Sequence, residues 1–354
     1  AQSLLLATVL GSLLVLFQQP LLTAILHLIK PSDEVRILAF NYCQIRIFAA
    51  PATLGTLCAM GWLLGLQRAK TTLLLMLFTN LANIGLDFLF IVDLKMNSEG
   101  AAWASFTAEL LGFFLAMFLV ARQLSQMDSS INFLHLRQWH RYRELLRVNR
   151  HIFVRTACLV FTMTFFTAQS ARQGDSILAA NAILMQLLLL VAYTQDGFAH
   201  AAESLAGHAI GTNNLNHFYR ICKEVTFWGL VISLVATAIY LIFPRAIIAI
   251  FTDLPEIAEA SQRYWPWLTA LPLAGLFCFM ADGIFIGSGK TRAMQGTMLL
   301  ATFGLFLPLW YLAQPLGNHG LWLAYLCFLC ARSILMGGMF FYYSQHQLWL
   351  PSKP

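Results

Sequence analysis

Charge is what this chain has least of. Of its 354 residues only 11% are Asp, Glu, Lys or Arg, while 59% are hydrophobic and the mean hydropathy is +0.68. A soluble domain carries roughly 25% charged residues, so a water-soluble globular fold is excluded. No stretch alternates polar and apolar residues with period two, which excludes a membrane β-barrel. No low-complexity segment is present. The first apolar stretch lacks a basic leader and a small-residue cleavage site, so it does not read as a signal peptide. His-Glu-x-x-His, Gly-x-Ser-x-Gly and a paired-Asp motif with a glycine partner are all missing, and with them the usual signs of an intramembrane enzyme. There is no long basic domain to bind nucleic acid, so none is expected as a partner. Seven cysteines occur, nearly all in apolar stretches. The pair Cys327-x-x-Cys330 has no second ligand pair, so the cysteines read as small buried apolar residues rather than a metal or redox centre.

What is present is a series of apolar stretches near 20 residues long. Each is enough to cross a hydrocarbon core of about 30 Å. Ten are expected, at about 3–28, 38–66, 71–92, 100–121, 148–170, 177–206, 225–243, 264–288, 293–313 and 319–343. Backbone polar groups cannot stay unpaired in lipid, so these are predicted as helices and the fold class as all-α, polytopic membrane protein. The short loops give the orientation. Residues 122–150 carry Arg122, Arg137, Arg141, Arg143, Arg147 and Arg150. Placing them in the cytoplasm puts Arg68/Lys70, Arg220/Lys223, Lys290/Arg292 and Lys353 on the same side, with only Asp128, Glu144 and Glu224 to oppose them. The C-terminus is therefore expected in the cytoplasm, and the formal charge of +6 is a topology signal. The stretch LHLRQWHRYRELLRV has an amphipathic look that suits the inner membrane surface.

A polar pattern is written twice, about 222 residues apart. Residues 61–70 read GWLLGLQRAK and residues 283–292 read GIFIGSGKTR. Both are G-x-x-x-G followed by two spaced basic residues. Pro51 and Pro272 lie about ten residues upstream, inside apolar stretches, and are candidate hinges. Downstream, Gly100/Ala104 and Gly320/Ala324 open the next apolar stretch in each copy. Internal repeats of this kind build many secondary transporters, with the site where the repeats meet. The expected division is 1–122, a linker at 123–147, and 148–354. The second copy has two further stretches ahead of its matching region, 148–170 and 177–206. An equal pair of halves would add about 80 residues, or two helices, before residue 1, so the chain reads as ten helices of twelve, split four plus six.

Ionisable residues within the apolar stretches mark function, because an ionised group at mid-bilayer is costly. Asp87, Glu109, Asp196, Glu203 and Asp282 are so placed, with Arg46, Arg155 and Arg332. Asn80, Asn83 and Asp87 share one helix face at spacings of three and four. The matching positions of the second copy fall at about Phe303–Gly304 and Leu307–Pro308, so the scaffold repeats where the chemistry does not. That asymmetry suggests an ion or proton site, against the plainer reading of a hydrogen-bond cluster holding helices together. A second stripe holds Asp196, His200 and Glu203, with Gln195 beside it and Asn181 and Gln186 near its backward extension. It suits binding a cation or relaying protons, or else is merely solvated near a helix end. Asp282 reads as a cavity acid or as the partner of Arg155 or Arg46. Glu109 reads as structural, and Arg332 as a residue near a helix end that snorkels. The two G-x-x-x-G pairs read as sites of close helix packing. Twelve methionines and 13% aromatics suit a wall that accepts varied amphipathic ligands.

The stretches GWLLGLQRAK, NLANIGLDFLF, GAAWASFTAE, AYTQDGFAHAAESLAGHAIG and FMADGIFIGSGKTR, in that order and spacing, resemble the MATE (multidrug and toxic compound extrusion) transporters, and most of all their DNA-damage-inducible branch. The resemblance covers essentially the whole chain. It implies a V-shaped fold of two six-helix lobes related by a pseudo-twofold, in a cell inner (plasma) membrane. It implies antiport, in which an inward proton or sodium ion drives a cationic or amphipathic compound out, with no other cofactor and no metal; a monomer is expected. It also implies that Asn83, Asp87 and Ser105 occupy cation-site positions and that the 177–206 helix lines a cleft. A first-helix aspartate that belongs to the family's site has no counterpart here. The alternative within the superfamily is a flippase of lipid-linked oligosaccharides, which needs a basic cavity, whereas intramembrane acids outnumber bases five to three here.

Overall fold

The structure is a computed structural model and describes residues 2–29, 33–127 and 139–350. Among them there is no strand. The helices are α1 (Gln2–Leu16), α2 (Gln18–Ile29), α3 (Asp33–Ile47), α4 (Ala50–Gly65), α5 (Ala69–Asp87), α6 (Asn97–Gln126), α7 (Trp139–Ala171), α8 (Asp175–Gly211), α9 (Leu215–Ile242), α10 (Pro244–Phe251), α11 (Pro255–Gly287), α12 (Thr291–Leu299), α13 (Leu307–Ala313) and α14 (Asn318–Gln345). Wider π-helical turns follow α5 at Phe88–Asp93 and α12 at Leu300–Phe306. Eight spans are long and apolar enough to cross a membrane, and two bent helix pairs bring the number to ten among the described residues. The protein is a multi-pass membrane protein of the all-α class.

The bends have local causes. α1 and α2 meet at 65°, and α3 and α4 at 50°. Pro20 and Pro51 each fall in the first turn of the second helix of their pair. Neither has an N–H to give to the carbonyl one turn back, and the ring crowds that carbonyl, so the preceding helix stops. At the second bend the chain tightens instead, with Phe48 N–H donating to Ile45 and Ala49 N–H to Arg46. Pro51 is thus the start of a helix rather than a residue within one. Pro272, its partner in the repeat, does lie inside an unbroken 33-residue helix. The expectation of two matched mid-helix hinges is corrected on that point. In α12–α13 it is Pro308 that ends the π turn, at the first turn of α13.

The chain divides into two compact units, Ala1–Leu145 and Leu146–Pro354. The repeat shows in their helix boundaries. α4 ends at Gly65 and α11 at Gly287, and α5 begins at Ala69 and α12 at Thr291, each pair 222 residues apart. The left-handed residues repeat too: Gln67 (φ 58°) matches Gly289 (φ 71°), and Lys95 (φ 55°) matches Gly317 (φ 57°). A left-handed residue reverses the chain after a helix end, and in the second copy glycine takes both positions without strain. α7 and α8 have no counterpart among the described residues of the first unit. α6 reaches Gln126 and α7 begins at Trp139, so both helices run into the expected linker; residues 128–138 lie outside the described residues.

Each unit has its own packing logic. In the second unit, fully buried Trp322, Tyr325, Phe166, Phe306 and Phe328 form one core with Leu184, Leu268 and Leu271. A second core gathers Phe218, Phe285, Met280 and Trp349 with small residues of α8. The first unit has a smaller core of Ala59, Leu75 and Ala116.

Candidate functional site

In the first unit, α5 carries Asn80, Asn83 and Asp87. Asn83 and Asp87 are half-buried one turn apart, and Asn80 is exposed. Asn83 Nδ2 donates to Ser105 Oγ of α6 at 3.3 Å. Asp87 is the last residue before the π turn Phe88–Asp93. Such turns widen the helix and recur at functional sites, because they displace one residue from the regular ladder. No hydrogen bond or ion pair to Asp87 occurs among the described residues. Asn83 and Ser105 therefore meet, Asp87 lies one turn further along α5 with no bond to either among the described residues, and Asn80 is exposed.

The other acid of this unit is spoken for. Glu109 on α6 pairs with Arg46 of α3 at 2.8 Å and accepts a short hydrogen bond from Thr53 of α4. This matches the structural reading of Glu109. It ties three helices together and leaves Asp87 as the unit's unpaired intramembrane acid among the described residues.

The second unit places its polar residues in three groups. Asp196, His200 and Glu203 lie along one face of α8. Asp196 and Glu203 are half-buried and His200 is exposed, with its Nδ1 3.7 Å from Glu203 Oε2. Asn181 does not join them. It is buried, donating to Ser170 Oγ and Asn318 Oδ1 (2.7 Å each) and accepting from Asn318 Nδ2 at 2.9 Å and Trp322 Nε1 at 2.8 Å. Its amide clamps α7, α8 and α14, so it is a closed structural junction, not a water-facing residue. Gln195 is likewise buried and donates to Ser233 of α9 at 2.6 Å.

The third group was only half visible in the sequence. Asp282 on α11 is paired with both Arg155 of α7 and Arg332 of α14, the latter at 3.0 Å. Arg332 is not a snorkelling residue: it stands mid-helix with its side chain 3% exposed. Asp282 is thus a paired acid rather than an open cavity carboxylate, and its partners are Arg155 and Arg332 instead of Arg46. A signal existed in the count of intramembrane charges, but nothing in the sequence joins residues 282 and 332 across two helices.

Two glycines set how α11 approaches α8. A Cβ on Gly283 would run into the Ala199 carbonyl, and one on Gly287 into the Glu203 carbonyl. Backbone-to-backbone contact at these points holds Asp282 and the Asp196 face on adjoining helices. All seven cysteines are free thiols, and among the described residues no group of three or more His, Cys, Asp or Glu could hold a metal ion.

Comparison with known proteins gives one consistent result. The MatE family model matches residues 1–89 and 152–312. DNA damage-inducible protein F of Escherichia coli (strain K12) is 34% identical over 349 residues, covering 98% of this chain and 76% of that protein. Protein DETOXIFICATION 43 of Arabidopsis thaliana is 23% identical over 323 residues, covering 91% of this chain and 60% of that protein. In fold, the chain resembles the structure titled "Outward-facing conformation of a multidrug resistance MATE family transporter of the MOP superfamily", with a TM-score of 0.85 at 19% identity over 98% of this chain and 78% of that one. The match over most of its length, on top of an all-helical repeat with unpaired carboxylates in its spans, shows that this chain belongs to the MatE family, the multidrug and toxic compound extrusion transporters.

Proposed function

We propose that the protein is a cation-coupled antiporter that exports cationic or amphipathic compounds by alternating access. Asn83, Asp87 and Ser105 form the ion or proton site of the first unit, and the Asp196–His200–Glu203 face of α8 serves the substrate. The observation that carries this reading is the state of Asp87. Glu109 and Asp282 are paired with arginines and Glu203 adjoins His200, whereas Asp87, like Asp196 of the second unit, has no such partner among the described residues. An unpaired carboxylate in an apolar span is unfavourable when charged and tolerated when protonated or ion-bound. Its occupancy can therefore favour one of two conformations, which coupling requires. The Asn83 and Ser105 oxygens can ligate sodium, and both groups can hydrogen-bond either protonation state of the acid.

The DETOXIFICATION relative, by its name, lies on the side of this reading, and the excess of basic residues in the short loops assigns those loops to the cytoplasm. That assignment puts residues 122–150 and the C-terminus inside the cell; labelling of a cysteine introduced at Ser129 by an impermeant reagent in intact cells would contradict it. The functional test is Asp87→Asn in proteoliposomes under imposed pH or sodium gradients. Asparagine keeps the shape but cannot titrate. Gradient-driven export should be lost while thermal stability stays near that of the parent. Export at the parental rate would remove Asp87 from the mechanism, and the gradient that drives the parent names the coupling ion.

A further inference from the structure

The Arg155–Asp282–Arg332 cluster has more positive charge and more donors than its own acid can satisfy. Both guanidiniums bond through Nη2 to the same oxygen, Oδ2 of Asp282. Arg332 is 3% exposed and its Nη1 is buried with no acceptor among the described residues, and Arg155 Nε is in the same condition. Two guanidiniums held against one carboxylate leave the three bonded groups with a net charge of +1 in a largely dry place. Buried charges and buried unmatched donors each cost free energy, so sites that retain them usually serve a ligand.

Among the neighbours only Asp196 can add a further negative charge. Cys278 and Tyr325 adjoin Arg332, and neither ordinarily carries charge at neutral pH. The rings of Phe279 and Phe328 lie 5.9 and 5.6 Å from its guanidinium carbon. Asp196 on α8 is close enough to feel both arginines, yet it hydrogen-bonds to neither among the described residues. His200 and Glu203 follow it along the same face. The exposure is graded: Arg332 is closed, Asp282 is 12% exposed and Arg155 20% exposed, so the cluster opens past Arg155.

We propose that this cluster is a binding site for a single negative charge, supplied by a small inorganic anion or by the carboxylate of an amphipathic compound. The anion accepts from the free donors of Arg155 and Arg332 and brings the cluster to neutrality. The aromatic walls beside Arg332 suit a carboxylate attached to an apolar body. The site is separate from Asp87, lies wholly in the second unit, and does not depend on which ion drives transport.

The test reads binding rather than transport. The purified protein is melted in sodium gluconate, whose bulky, hydrated anion serves as the reference, and the salt is then replaced at constant ionic strength by sodium chloride or by sodium benzoate. The unfolding midpoint should rise by about 3 °C once the anion is about tenfold above its dissociation constant, and further with the logarithm of its concentration. Response to chloride alone identifies a free-anion site; response to benzoate at lower concentration identifies a site for the anionic group of an amphipath. Arg155→Gln and Arg332→Gln should abolish the rise. Asp282→Asn should do the opposite, lowering the concentration at which the rise sets in about tenfold by removing the competing charge. This variant keeps the proposal testable if Arg332→Gln does not fold. Neither anion raising the midpoint, an unchanged rise in Arg155→Gln, or an unchanged onset concentration in Asp282→Asn would each overturn it.

Discussion

The two copies of the G-x-x-x-G motif end matching helices, α4 and α11, but their glycines have different neighbours. A Cβ on Gly283 or Gly287 would meet backbone carbonyls of α8, whereas one on Gly61 or Gly65 would meet nothing beyond its own helix within 4 Å, the described residues of the first unit holding no counterpart of α8. The ionic centres differ in the same way. The first unit pairs one arginine with one acid, Arg46 with Glu109; the second sets two arginines on Asp282. Asp87 has an apolar stretch as its counterpart. The repeat therefore carries the scaffold, meaning the helix ends, left-handed turns and helix-breaking prolines. The chemistry is added separately to each copy.

The sharpest break between the copies should appear on adding bulk to the glycines. Gly283→Val drives a branched side chain into the Ala199 carbonyl, and backbone cannot step aside as a side-chain end can. We expect a loss of about 4 kcal/mol or failure to assemble the second unit. Gly61→Val should cost less than about 1 kcal/mol, the difference in helix propensity being small. Thermal melts of the two variants in the same detergent compare them directly. Equal losses would mean that the motif does the same packing in both copies.

The ionic centres should differ next. Asp282→Ala leaves two guanidiniums without their shared acceptor, one of them 3% exposed, and should destabilise by about 3 kcal/mol. Glu109→Ala removes the partner of Arg46, whose side chain is 31% exposed, and solvent screening should hold the loss to about 1 kcal/mol. If the two losses are alike, the buried pair is better hydrated than its exposure implies.

The apolar spans and the 222-residue repeat were legible, because apolar length and local motif spacing carry them. The breaks at Pro20 and Pro51 were not read, and 3–28 and 38–66 stood as single stretches, although the cause, a proline without an N–H, is local. The grouping of Asn83 with Asp87 was legible from a spacing of four. The Asn83–Ser105 bond and the Asp282–Arg332 pair were not, because each joins two helices, and helix rotation is decided by packing that periodicity in these nearly all-apolar spans does not encode. Asn181 shows the same limit: its spacing sets it near the polar stripe of α8, but Asn318 and Trp322 bury it.

The ends of the last helix of each copy give a smaller contrast. After α14 the chain turns at Gln347 (φ 52°) and returns Trp349 to a cage of Phe218, Phe285, Phe340 and Tyr343, where it is fully buried. Its Nε1 donates to Ser344 Oγ at 3.0 Å. The position 222 residues earlier is Met127, which is 49% exposed. Trp349→Ala should cost about 2 kcal/mol, less than a core tryptophan, because the terminal turn can peel away without opening α9 or α11. Met127→Ala should be neutral. Limited proteolysis at the C-terminus reads the first effect; unchanged protection in Trp349→Ala would show that the cage holds without its occupant.

The smallest expected effect has the opposite sign. Gly61 and Gly65 lie in the last two turns of α4 with open space around the position of a Cβ. Glycine in a helix gives up more backbone freedom than alanine, by about 0.8–1.0 kcal/mol in exposed peptides. Where nothing crowds the new methyl, Gly61→Ala and Gly65→Ala should each stabilise α4 by up to about 1 kcal/mol. The same change at Gly287 meets the Glu203 carbonyl and should destabilise. The sign of the shift, more than its size, separates the copies. A fall in melting temperature for Gly61→Ala or Gly65→Ala would mean that these glycines admit a close neighbour after all, and that the first copy packs at its motif as the second does.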